Sequence, residues 1–189
     1  MKILLLTACL LSIILLVSCG VSSFLIENQP HIRIADKLTY AFISDMKKKG
    51  YWVEMTGGGM MDGVVDQIDV GFAIVGKPTV EEARLQYVAI AEAFLSKINH
   101  NAEIRPYLIE YPATIKVFDL HLSFRKTNTS TAPVEGKEVV AYMFTSKGIT
   151  YYSYYDSTCA LKFQDLHEEP YEEALRIVRE QYPELLPSP

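Results

Sequence analysis

The sequence predicts an α+β domain in which an antiparallel sheet of about five strands carries helices on one face, in the order α-β-β-α-β-β-β-α. Two observations lead to this prediction. Apolar residues recur at helical spacing in three separated stretches, and the stretches between them alternate apolar with polar residues, as strands do. Strands with one apolar and one polar side are typical of a sheet with one covered face.

The first helix is predicted over residues 36–49. Leu38 and Phe42 are one turn apart and start an apolar stripe. Asp36 is placed to cap the first turn, and Gly50 is a typical residue for ending a helix.

Two strand-like stretches follow, at residues 51–56 and 64–75, joined by the glycine-rich residues 57–63. A phosphate-binding loop would require a following Gly-Lys-Ser/Thr and a helix, and an esterase elbow would require Gly-x-Ser-x-Gly. The chain has neither pattern, so we predict a flexible hairpin loop. Its glycines are retained as one candidate contact surface: Gly57, Gly58 and Gly59.

The second helix is predicted over residues 80–99. Thr79 and Glu82 have the spacing of a capping box, directly after Pro78. One face of this helix is apolar and should pack on the sheet. The residues on that face are Ala83, Tyr87, Ile90, Phe94 and Ile98.

The next strand, residues 115–125, places Asp119, His121 and Ser123 on one side. These residue types suggest a catalytic triad. However, alternate strand residues stand about 6 to 7 Å apart and point in parallel, so a relay of hydrogen bonds along them is not expected. We predict a solvated strand face, with the alternative that His121 acts together with residues from other strands.

A second hairpin is predicted from residues 137–146 and 149–155 around Lys147-Gly148. Its tyrosines have two interpretations, a recognition surface or cross-strand packing. As a recognition surface they form the second candidate contact surface: Tyr142, Tyr151, Tyr152, Tyr154 and Tyr155.

The last helix is predicted over residues 170–181, with Pro170 in the first turn and Glu172 paired with Arg176. Its predicted buried stripe consists of Tyr171, Ala174, Leu175, Val178 and Tyr182.

The composition argues against several classes of function. The net charge is −5 and no basic patch is present, so nucleic acid is not an expected partner. The four histidines lack metal-ligand spacing and the acidic residues lack a calcium-loop pattern. We therefore expect neither a metal nor another cofactor.

The N-terminus has the pattern of an export signal. Lys2 precedes the apolar residues 3–17, and small residues surround Cys19. The apolar stretch is shorter than the roughly 18 residues that a permanent membrane span needs, which favours a cleaved signal. We predict a signal peptide at residues 1–18, a tether at 19–31 and one globular domain at 32–189.

Leu16-Val17-Ser18-Cys19 resembles the lipobox of bacterial lipoproteins. The resemblance implies that Cys19 becomes the lipid-modified N-terminus, with palmitate among its acyl chains, and anchors the protein to a membrane. Because Gly20 rather than Asp follows the cysteine, it also implies the outer membrane in a Gram-negative cell. Residues 92–112 and 171–178, EAFLSKINHNAEIRPYLIEYP and YEEALRIV, are similar to a group of exported bacterial proteins of unknown function, which implies a shared fold.

These observations predict a lipid-anchored, non-catalytic protein of the cell envelope that binds another envelope protein or has a structural role. One alternative is a lipoprotein that binds a small ligand or lipid on the polar face of the sheet. A second alternative is a hydrolase of an envelope polymer. It is the weaker one because no pair of catalytic groups follows from the spacing.

Overall fold

The computed structural model describes residues 29–60 and 62–187 and has an α+β fold. The predicted signal peptide, Cys19 and most of the predicted tether lie outside the described residues. Single turns of 3₁₀ helix occur at Arg105–Tyr107 and Pro183–Leu185. The helices are α1 (Pro30–Lys48), α2 (Val80–Asn99) and α3 (Tyr171–Gln181), and the strands are β1 (Trp52–Gly59), β2 (Gln67–Val75), β3 (Phe118–Arg125), β4 (Tyr142–Ser146), β5 (Ile149–Tyr155) and β6 (Phe163–Pro170).

The six strands form one sheet whose spatial order follows the chain, from β1 to β6. All neighbours are antiparallel except β2 and β3, which are parallel, with Ile68 beside Phe118 and Phe72 beside Leu122. The prediction of a wholly antiparallel sheet is therefore wrong at this pair. The reason is the connection: helix α2 carries the chain from one end of the sheet back to the other, which is the crossover that parallel strands require.

The sixth strand, β6, was not predicted. Its sequence, FQDLHEEP, lacks an apolar alternation because β6 is an edge strand with most of its side chains exposed. Charged residues and proline on an edge strand hinder pairing with other chains, and this accounts for its unusual composition.

Helices α1 and α2 pack on one face of the sheet. The alternate β3 residues Phe118, Leu120 and Leu122 have no solvent exposure. Phe94 of α2 lies between them and α1, with ring centroids 4.6 Å from both Phe118 and Phe42. All five residues of the predicted α2 stripe are buried, so that prediction is confirmed.

Helix α2 also begins and ends where the sequence predicts. The Glu82 N–H donates to Thr79 Oγ1 at 3.3 Å, and the Thr79 N–H donates to Glu82 Oε2 at 3.0 Å. This is the predicted capping box, which satisfies two backbone N–H groups at the start of the helix.

Helix α1 begins earlier than predicted. Pro30 occupies its first turn, where the fixed φ of proline suits a helix and a backbone donor is not needed. Asp36 therefore lies within the helix and does not cap it. His31, predicted to lie in the tether, is a buried residue of α1.

The three consecutive glycines belong to strand β1 and not to a loop. Gly57, Gly58 and Gly59 pair with Asp69, Ile68 and Gln67 of β2. A Cβ atom on Gly58 would lie only 2.5 Å from the Gln67 carbonyl oxygen. Glycine is thus needed here for a close approach of two backbones.

Helix α3 buries Tyr171, Ala174, Leu175 and Val178 as predicted, but Tyr182 lies beyond its end and is 42% exposed. The prediction for Tyr182 is wrong because the chain leaves the helical path at that residue.

The ion pair predicted in α3 between Glu172 and Arg176 is also wrong, because Arg176 has other partners. Arg176 binds Glu173 and Glu180, at 2.6 and 2.8 Å, and not Glu172. On a helix, residues three and four positions before or after an arginine lie close to it. Three glutamates have this spacing from Arg176: Glu172, Glu173 and Glu180.

Candidate functional site

The face of the sheet opposite α1 and α2 carries no helix in the described part of the chain, and we call it the open face. On β3 it consists of Asp119, His121, Ser123 and Arg125, which are half-buried and alternate with the fully buried apolar residues. The alternation predicted for this strand is confirmed.

Aromatic side chains from β4, β5 and β6 form a continuous cluster on the open face. Phe144 stacks on Tyr151 with centroids 5.2 Å apart, and Phe163 lies 5.7 Å from Tyr142 and 5.3 Å from Tyr155. Phe163 is 46% exposed. We call this cluster the aromatic patch: Tyr142, Phe144, Tyr151, Tyr155 and Phe163.

The structure divides the predicted tyrosine surface between two faces. Tyr142, Tyr151 and Tyr155 lie in the aromatic patch, whereas Tyr152 is 1% exposed on the helix side. Tyr152 donates a hydrogen bond to Glu169 there. Consecutive residues of a strand point to opposite faces, so Tyr151 and Tyr152 cannot share one surface. Tyr154, two residues after Tyr152, is half-buried and pairs with Gln164.

Two members of the aromatic patch were missed by the sequence interpretation. Phe163 belongs to the unpredicted strand β6, and Phe144 follows Tyr142 on the same side of β4. The alternation of Tyr142, Phe144 and Ser146 in the hairpin was the available signal for Phe144.

The candidate triad residues do not form a triad. Ser123 Oγ donates to Glu54 Oε2 at 2.7 Å and not to His121. His121 Nε2 lies 3.5 Å from Asp119 Oδ2, closer than the spacing along a strand suggests.

Tyr142 of β4 contacts His121. Nδ1 of His121 is hydrogen-bonded with the Tyr142 hydroxyl. Burial and the nearby carboxylates of Asp119 and Glu54 raise the pKa of Tyr142 to about 12. The phenol is therefore neutral at physiological pH.

Glu54 organises the polar part of the open face. Besides Ser123, it binds Arg125, whose Nη2 donates to Glu54 Oε1 at 2.6 Å. The Arg125 guanidinium also lies over the Trp52 ring, 5.4 Å from its centroid. Glu54 lies on the same face of β1 as Trp52, two residues before it, and the strand register shifts at Glu54, between Val53 and Met55.

A cleft of about 450 Å³ lies between this polar group and the aromatic patch. Its size is within the usual range for sites that bind a small ligand or a protruding side chain. Among the residues that line it are Glu54, Ser123, Arg125, Tyr142, Phe163 and Asp165.

A second cleft, of about 660 Å³, lies on the helix side between α2 and α3. Its walls include the apolar residues Leu95, Ile115 and Leu175. Glu92 lines it and accepts a hydrogen bond from the Tyr171 hydroxyl at 2.9 Å, and burial raises the pKa of Glu92.

Two carboxylates meet at the β2–β3 pair of the open face, where Asp69 lies beside Asp119 in the parallel register. Burial raises the pKa of Asp69, and the negative charge of Asp119 raises it further. A hydrogen bond from Gln67 lowers it but does not cancel these effects. Within residues 29–60 and 62–187, no group of three His, Cys, Asp or Glu side chains is arranged to hold a metal ion.

None of the described helices is both long and apolar enough to cross a membrane.

Comparisons of the chain with protein-family models, with curated proteins and with solved structures found no match. The open face has polar groups that bind one another and a patch of half-buried aromatic rings with one exposed ring, Phe163, a combination suited to recognition.

The raised pKa of Asp69 predicts the effect of removing its charge. The folded protein holds this proton more tightly than the unfolded chain, so the wild-type protein loses stability as the pH rises above the ordinary pKa of 3.8. Asp69→Asn should therefore raise the free energy of unfolding near neutral pH, and the gain should disappear below about pH 3, where both states of the wild type are protonated. Urea unfolding of the variant and the wild type at several pH values measures this difference in the free energy of unfolding.

Asp156→Asn is the matched control. Hydrogen bonds from Thr158 lower the pKa of Asp156, so its charge contributes favourably at neutral pH and its loss should not stabilise the protein. A gain for Asp69→Asn that stayed the same at low pH would contradict the electrostatic explanation.

Proposed function

We propose that this protein is a lipid-anchored, non-catalytic envelope protein that is attached through Cys19 and binds another protein through the open face of its sheet. The observation that carries the proposal is the aromatic patch, which lies on a face that no helix within residues 29–60 and 62–187 covers. Aromatic residues are enriched where proteins bind one another, because each ring buries a large area at little cost in conformational entropy.

The arrangement of the polar groups favours binding over catalysis. Ser123 and Arg125 are both held by Glu54, and the Tyr142 phenol is neutral and bonded to His121. The hydroxyl of Ser123 donates to a carboxylate that is itself neutralised by an arginine, and none of the described histidines is bonded to it, so this network does not activate Ser123 as a nucleophile. Such a network suits a rigid surface.

Attachment through lipid is supported by the export signal and the lipobox-like sequence before Cys19. Two or more acyl chains would hold the protein stably on a membrane. Residues 20–29 span at most about 35 Å between the anchor and α1, so a partner on the open face would have to lie close to the same membrane.

Site-specific crosslinking in cells tests the proposed surface. A photo-crosslinking phenylalanine analogue placed at Phe163 or Tyr151 should capture a discrete partner protein, because both side chains belong to the aromatic patch. The same analogue at Tyr40, which is 62% exposed on α1, is the matched control and should capture none. Crosslinked products are detected by electrophoresis and identified by mass spectrometry.

Equal capture at Tyr40 would show that the contact is not specific to the open face. An absence of crosslinks at both patch positions, together with stabilisation of the purified protein by small solutes, would replace the proposal with the small-ligand alternative.

Lipid attachment has a separate test. Cys19→Ala should abolish the acyl modification and release the protein from the membrane fraction, since no other anchor is proposed. Mass spectrometry of the mature N-terminus and membrane fractionation measure the two effects. A variant that stayed acylated and membrane-bound would contradict anchoring through Cys19.

A further inference from the structure

We propose that the cleft on the open face binds an arginine side chain of the protein partner. This inference rests on the proposed function, because it names the chemistry by which a partner would be anchored at that face. It comes from three features of the cleft. The walls are aromatic, one carboxylate has no ion-pair partner among the described residues, and the other two charged side chains neutralise each other, so that the cleft has a net negative charge.

The aromatic walls are the first feature. Tyr142, Phe144 and Phe163 line the cleft, with Tyr142 centred 5.7 Å from Phe163 and 5.8 Å from Phe144. Phe144 is stacked between His121 and Tyr151, its neighbours on β3 and β5, with centroids 5.9 and 5.2 Å away, so the exposed Phe163 is the ring that offers a face to a ligand. The negative face of an aromatic ring attracts a cation within about 6 Å of its centre.

The uncompensated carboxylate is Asp165, at the same cleft. It is exposed, and in the described part of the chain it has neither a side-chain hydrogen bond nor an ion-pair partner. Its position on β6 is fixed by pairing with Ser153 of β5, which also lines the cleft. A carboxylate beside aromatic rings is a favourable site for a positive charge with an apolar stem.

The charges already in the cleft do not oppose this. Arg125 lines it, but Nη2 of Arg125 donates to Glu54 at 2.6 Å, so the two charges offset each other. The remaining formal charge of the lining is that of Asp165. Charge complementarity therefore favours a cation over an anionic or neutral group.

Arginine fits these features better than lysine. Its planar guanidinium can stack on an aromatic ring while its N–H groups bind a carboxylate, whereas an ammonium group acts as a compact, strongly hydrated charge. The same protein has two examples of guanidinium over a ring, Arg125 above Trp52 and Arg105 above Tyr111, at 5.4 and 4.4 Å.

Binding of a minimal probe tests the inference. The full chain, purified in detergent, is titrated with N-acetyl-arginine amide and, separately, with N-acetyl-citrulline amide, which has nearly the same shape without the charge. Dissociation constants come from NMR chemical shifts. The arginine probe should bind about fivefold or more tightly than the citrulline probe, as expected for one exposed ionic contact together with ring stacking.

Two variants and one control locate the site. Asp165→Asn and Phe163→Leu should each weaken binding of the arginine probe about fivefold, through loss of the charge and loss of a ring. Asp62→Asn removes a carboxylate from the turn before β2, outside the cleft, and should leave the constant unchanged. Equal binding of the two probes would overturn the inference, as would unchanged arginine binding by Asp165→Asn.

The outcome separates the inference from the proposed function. If Phe163 crosslinks a partner in cells but the arginine probe does not bind preferentially, the open face binds a protein by another contact and only the inference fails. If neither occurs, the proposed function fails as well.

Discussion

The packing of α2 against β3 is the interaction on which the rest of the structure depends. The apolar stripe of α2 and the alternate apolar residues of β3 bury each other, and Tyr87 donates to the Leu120 carbonyl at 2.7 Å within the contact. Each large side chain buried in this way contributes about 1.5 to 3 kcal/mol. The same helix forms the crossover that makes β2 and β3 parallel. It also joins the far edge of the sheet, where Arg84 binds the buried Glu169 at 2.7 Å.

The packing of helices on one face of the sheet determines which side chains lie on the open face. Because α1 and α2 bury one set of alternate residues, the other set, including His121 and Arg125, is left on the open face. Polar groups there are fixed by one another, and the Glu54 carboxylate holds both Ser123 and Arg125. Aromatic rings cover the β4–β6 half of this face. The site is thus a consequence of strand alternation in a sheet whose helices, in the part of the chain that the structure describes, pack on one face.

Local signals in the sequence were sufficient for the elements whose residues interact mainly with near neighbours in the chain. The capping box of α2 and the alternation of β3 are of this kind, and so are the close limits of α3. Interactions between distant residues could not be predicted: the parallel β2–β3 pair, the edge strand β6, and the contacts of Glu54 with Ser123 and Arg125 across the sheet. Three of the five tyrosines of the predicted contact surface lie together in the aromatic patch, whereas the position of Phe163 depends on β6. Tyr152 lies on the helix side because it directly follows Tyr151 in the strand, and consecutive strand residues point to opposite faces.

Comparative hydroxyl-radical labelling tests the central claim most directly, because it reports whether the open face is covered in the cell. Phe163 and Tyr151 should be labelled in the purified protein and strongly protected in intact cells, while Tyr40 on α1 should be labelled to the same extent in both. Equal labelling of the aromatic patch in the two samples would contradict a bound partner on this face.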